Sequence, residues 1–138
     1  MKPLALVGRI LFSLLFITAA LGHFKPETIG WAAASGVPLA NLLVPAAGLL
    51  AIVSALSIAT GYRARWGAAG IVAFLVPVTL TMHKFWTVSD PMAAQLQQVM
   101  FMKNVSLIGA ALYFAYAGAG ALSLDARTAT RRELVASS

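Results

Sequence analysis

Four stretches of this chain, residues 4–22, 39–60, 66–85 and 99–121, are each apolar for about twenty residues. That length crosses a ~30 Å hydrocarbon core as an α-helix. Backbone groups in lipid must be satisfied within the chain, so only helices and closed barrels span it. No stretch alternates in the manner of barrel strands, so the pattern predicts helices. The chain is 60% hydrophobic and 10% charged, too apolar to bury its nonpolar surface and keep a wettable exterior. The expectation is an all-α bundle of four transmembrane helices in the lipid bilayer. It forms one domain over residues 1–138, with a tail over 122–138.

The connections carry the charges. Residues 24–38 form the longer loop, broken by Pro26, Gly30, Gly36 and Pro38. Gly61-Tyr62-Arg63-Ala64-Arg65 is a tight basic turn. Ser89-Asp90-Pro91 reads as a turn or helix start, with Pro91 suited to a first helical position. Lys2, Arg9, Arg63, Arg65, Arg127, Arg131 and Arg132 fall on one side of the spans, and Lys25, Lys84 and Lys103 on the other. The positive-inside rule then puts both termini in the cytoplasm. A cleaved leader is the competing reading of residues 1–22, because Thr18-Ala19-Ala20-Leu21-Gly22 ends in small residues. Arg9 interrupts that apolar run and favours a retained span.

Composition excludes several chemistries. No stripe of Lys/Arg interleaved with aromatics lies on a polar face, so nucleic acid is not an expected partner. There are no cysteines, which removes disulfides, thiol redox chemistry, covalent haem attachment and Fe–S ligation. His23 and His83 are the only histidines. With Glu27 they would make a thin zinc site, and no helical metal spacing supports one, so no metal is expected. Bis-histidine haem through His23 and His83 is a further, weaker option. No Ser-His-Asp pattern, phosphate loop or dinucleotide fingerprint occurs.

Polar residues inside the spans are the informative remainder. Lys103 and Asn104 lie side by side in the fourth span, and a lysine at a helix centre costs ~2.5–3.5 kcal/mol in a membrane. Helical spacing groups Lys103, Ser106, Ala110 and Tyr113 on one face, Thr79, His83 and Trp86 on another, and Arg9, Phe12, Phe16 and His23 on a third. The predicted topology puts His23, His83 and Lys103 at one depth in the outer leaflet. The plainer reading is interfacial anchoring by Lys25, Lys84 and Trp86. The sharper one is a site for an amphiphile such as a quinone, whose carbonyl oxygens need donors and whose ring needs an apolar slot. His83, Lys103, Asn104, Trp86, His23 and Tyr113 are suitable residue types. Arg9 and Asp125 are expected to pair and close the first span against the fourth. Ala47, Ala51, Ala55 and Ala59, and again Ala111, Ala115 and Ala119, form small-residue stripes. They suit packing within one bundle or a homo-oligomer contact. Pro77 predicts a bend in the third span.

The chain also carries Arg9-Ile10-Leu11-Phe12, Gly22-His23-Phe24-Lys25, Gly36-Val37-Pro38, the basic turn and His83-Lys84-Phe85-Trp86. The runs from Phe101 to Gly109 and from Gly118 to Asp125 complete the series. In this order on four spans the pieces resemble the DoxX family from Arg9 to Asp125. The resemblance implies a four-helix protein of the bacterial inner membrane. It also implies a link to quinol or thiosulfate:quinone oxidoreductase complexes, or to oxidative-stress assemblies. Two departures stand out. Ala51 occupies a position where many members carry a glutamate. Gly118-Ala119-Gly120 replaces the usual Gly-Pro-Gly, which predicts that the last span runs further.

Three functional classes follow. One is a redox-linked membrane subunit binding a quinone or similar amphiphile near the outer helix ends. Another is a non-catalytic scaffold that recruits soluble redox partner proteins through its basic turn and tail. The last is a small lipid or solute carrier. The sequence commits the chain to no reaction of its own.

Overall fold

The computed structural model describes residues 2–137. Six α-helices follow one another among them: α1 Lys2–Ala20, α2 Pro26–Ala34, α3 Ala40–Thr60, α4 Ala64–Met82, α5 Pro91–Ala117 and α6 Leu124–Ala136. Four of them, α1, α3, α4 and α5, are long and apolar enough to cross a membrane. No strand occurs among the described residues. The all-α, four-span expectation therefore holds.

Local chemistry sets the boundaries. The fourth spanning helix starts at Pro91, eight residues before the apolar stretch, because Asp90 accepts from the Ala93 amide at 2.7 Å and Pro91 occupies the first turn. Gln95, Gln97 and Gln98 thus lie on helix. The same helix stops at Ala117 instead of running on, because Gly118 (φ +75°, ψ −165°) and Gly120 (φ +75°) turn the backbone out of helical space. Past that turn the tail forms α6, capped by Ser123, whose hydroxyl accepts from the Ala126 amide at 3.1 Å. The loop over 24–38 likewise contains a helix, α2, with Pro26 in its first turn.

Packing runs in sequence: α1 and α2 lie against α3, α3 against α4, and α4 against α5. The alanine stripe lies in these seams, with Ala51, Ala55 and Ala111 fully buried beside Ile58, Ala68 and Ile71. Phe12 on α1 reaches Phe114 on α5 at 5.2 Å between ring centres, closing the ring of helices. Outward positions such as Leu11, Leu49, Leu80, Leu96 and Leu112 are exposed, as a lipid-facing surface requires.

Candidate functional site

The helices alternate in direction, so the bundle has two polar ends. One gathers Arg9, the turn between α3 and α4, and the junction between α5 and α6. The other gathers His23, His83 and the loops flanking α2 and α5.

At the first end Arg9 is 1% exposed. Its Nη2 donates to the carbonyl of Leu122 at 2.5 Å. A side chain on Gly61 (φ +71°) would run into Arg9 Nη1 and Ser123 Cβ, so the guanidinium lies directly on the glycine backbone. Asp125 is close enough to act on Arg9 electrostatically, but the two form no hydrogen bond. The carboxylate instead accepts from the amides of Arg63 at 2.8 Å and Ala64 at 3.2 Å, while its own amide donates to the carbonyl of Gly61 at 2.9 Å. Arg9 and Asp125, expected to pair, are thus electrostatic neighbours, each with hydrogen-bond partners of its own. Arg63, the N-cap of α4, supplies no side-chain cap, and the free amides there claim the carboxylate of Asp125. Arg9 Nε and Nη1 find no partner among the described residues, nor does the buried hydroxyl of Ser13, one turn along the same face.

Midway along α5, Asn104 and Lys103 separate. Asn104 is 5% exposed and faces inward, while Lys103 faces outward with Nζ 3.5 Å from Met100 Sδ. Ser106 and Tyr113 are exposed as well, Tyr113 at 66%, so the face that includes Lys103, Ser106 and Tyr113 is turned out of the bundle. The line Asn104, Ala111, Ala115 is the one that packs inward, because small residues let α4 approach closely.

The two histidines do not share a level. The His23 ring lies 5.4 Å from the ring of Phe74, and its Cβ sits so close to Gly48 that a methyl there would approach it to 2.7 Å. His83 follows the end of α4, nine residues beyond Phe74 and thus about 13 Å further out along the helix. There its Nδ1 is 2.7 Å from Gln97 Oε1 on α5. Trp86 is exposed and joins Phe85 and Phe101 in an edge-on aromatic cluster. The inward polar residue of α5 nearest His23's level by helical rise is Asn104. Counting from the Phe12–Phe114 contact, His23 lies about 18 Å along α1 and the 3-10 turn that follows it, and Asn104 about 15 Å along α5. Nδ1 of His23 is buried without a hydrogen-bond partner, and the Asn104 amide has none among the described residues.

Sequence reasoning missed Gln97, Phe74 and Gly48 as neighbours of the polar groups, and Ser13 and Gly61 beside Arg9. Ser13 was findable, being four residues from Arg9 on one helical face. No group of three or more potential metal ligands occurs among the described residues.

Four membrane-length helices with apolar outer faces and polar groups drawn inward near both ends define a multi-pass helical membrane protein. The sequence profile of the DoxX family matches residues 4–84. The chain is 29% identical over 126 residues to the inner membrane protein YphA of Escherichia coli K12, covering 90% of this chain and 89% of the relative. It is 33% identical over 122 residues to the inner membrane protein YqjF of the same organism, covering 87% and 88%. No solved structure matches. The chain belongs to the DoxX family and is an integral protein of the bacterial inner membrane.

Proposed function

We propose that this protein is a redox-linked membrane subunit that holds a quinone or similar amphiphile between the outer halves of its helices, with Asn104 and His23 as the polar contacts. Both termini face the cytoplasm in this reading, since Arg63, Arg65, Arg127, Arg131 and Arg132 gather at the Arg9 end. One observation carries the proposal. The Nδ1 of His23 is buried without a partner, and Asn104, inward on α5 and near the same level by helical rise, makes no side-chain hydrogen bond among the described residues. The orphaned nitrogen of His23 costs about 1–3 kcal/mol. Asn104 supplies both donors and an acceptor, and a neutral imidazole supplies one of each. The rings of Phe74 and Phe16 provide an apolar flank. His83 with Gln97 sits further out, where a headgroup would enter.

The test is titration of the purified protein with a short-chain quinone analogue, followed by unfolding temperature and tryptophan emission. A saturable rise in unfolding temperature that Asn104→Leu removes is expected. No change in either signal at saturating ligand rules the proposal out.

A scaffold without a ligand is favoured by a different observation: Lys103 points out of the bundle and the exposed arginines cluster at one end. That reading predicts partner proteins retained by the basic turn and α6, with no response to quinone.

A further inference from the structure

The Arg9 end carries a concavity distant from the proposed amphiphile site. It has a volume of about 340 Å³ and is walled by Arg63, Arg65 and Trp66 on one side and by Gly118–Gly120 and Asp125 on the other. We propose that this cleft binds the phosphate of an anionic phospholipid, held by the guanidinium groups of Arg63 and Arg65.

Several features converge on that chemistry. Arg65 lies across Gly118, whose left-handed backbone leaves room for it: a Cβ there would come 3.4 Å from Arg65 Nε. Arg65 is thus held at the cleft while its side chain stays exposed. Arg63 is exposed too, with its guanidinium 5.8 Å from the centre of the Tyr62 ring. A planar guanidinium matches phosphate oxygens in a two-pronged contact. The one carboxylate in the wall, Asp125, does not cancel these charges at the mouth. Its oxygens accept from the Arg63 and Ala64 amides, and its field acts on buried Arg9.

The level of the cleft decides between a lipid phosphate and a free one. Tyr62, Trp66 and Tyr116 are all exposed around this end of the spanning helices, Trp66 at 77%. Such aromatic residues collect at headgroup depth. The cleft therefore opens among lipid phosphates, and Trp66 beside it offers a face to the glycerol and upper acyl region. Beyond it, α6 presents Arg127 and Arg131 on the same stripe as Leu124 and Leu134, all exposed, as expected of a helix resting on an anionic surface.

The experiment is native mass spectrometry of the full chain in detergent with equal amounts of phosphatidylglycerol and phosphatidylcholine. It is run on the wild type, on Arg63→Gln/Arg65→Gln and on Lys25→Gln/Lys84→Gln at the opposite end. Retention of phosphatidylglycerol over phosphatidylcholine by on the order of tenfold is expected for the wild type and the lysine variant. The arginine variant should fall below about twofold, with Arg63→Lys/Arg65→Lys keeping an intermediate preference. Helical circular dichroism checks that each variant is folded. Equal retention of both lipids by the wild type, or an unchanged preference in a folded arginine variant, overturns the proposal. So does displacement of the lipid by millimolar inorganic phosphate, which would mark a free-anion site. Loss of a co-purifying acidic protein in the arginine variant with lipid retention unchanged would mark a protein-docking face and also overturn it.

Discussion

Gly61→Ala is the sharpest probe of how the Arg9 end is built. Two costs add. Gly61 has φ +71°, and an alanine forced into the left-handed region loses about 1–2 kcal/mol. The new methyl would also run into Arg9 Nη1 and Ser123 Cβ and stand 3.0 Å from Ala119 Cβ. Relieving such overlap in a packed interior costs about 1–3 kcal/mol. Arg9 has little room to retreat, since it is buried and anchored on the Leu122 carbonyl. The sum is about 2–5 kcal/mol, or roughly 8–20 °C in unfolding temperature at about 4 °C per kcal/mol for a chain of this size. Thermal unfolding in detergent, followed by circular dichroism, measures it. Gly109→Ala is the control, because nothing lies within 4 Å of its Cβ position on α5 and its backbone is helical. It should match the wild type or gain up to about 1 kcal/mol. If Gly61→Ala and Gly109→Ala unfold together, the guanidinium does not rest on Gly61.

Asn104→Leu should abolish the quinone-induced rise in unfolding temperature, whereas Lys103→Gln should leave it within twofold in apparent affinity, because Lys103 faces outward. Asp125→Asn should cost about 1–2 kcal/mol and speed amide exchange at Arg63 and Ala64, whose N–H groups would lose a charged acceptor; unchanged exchange at both would contradict the capping role. Gly48→Ala should perturb the environment of His23, seen as a changed imidazole resonance, because the methyl would come 2.7 Å from His23 Cβ.

The spans were legible because lipid imposes one rule on every backbone group, and an apolar run of fixed length satisfies it. Helix ends were less so. The polar start of α5, through Gln95, Gln97 and Gln98, carries no hydropathy signal, and its cap at Asp90 shows only as a turn motif. The rotation of a helix about its axis was the hardest quantity to read. Lys103 and Asn104 differ by about 100° around α5, and which one faces inward depends on Ala111 and Ala115, two and three turns later, that pack the seam. Depth failed for a related reason. Assigning His23 and His83 to one layer assumes that α1 and α4 end together, but α1 gives way at Ala20 while α4 runs outward past His23 to Met82.

The difference between the two ends also bears on which residues serve function. Polar groups at the Arg9 end are answered mainly by backbone: the Leu122 carbonyl, the Arg63 and Ala64 amides and the Gly61 carbonyl. Those bonds tie α1, the α3–α4 turn and the α5–α6 junction together. The orphaned nitrogens of Arg9 therefore accompany a guanidinium already fixed by a structural bond. The buried Nδ1 of half-buried His23 has no such bond, and Asn104 makes no side-chain hydrogen bond among the described residues. Apolar residues of similar size would pack at these positions at lower cost. The bond to Leu122 accounts for the burial of Arg9, whereas no protein hydrogen bond among the described residues accounts for the placement of Asn104 and of His23 Nδ1, and the proposed ligand rests on that difference. The decisive comparison is Asn104→Leu against Arg9→Met: the first should raise or preserve unfolding temperature while removing the ligand response, and the second should keep the response. The opposite pattern would relocate the amphiphile to the Arg9 end.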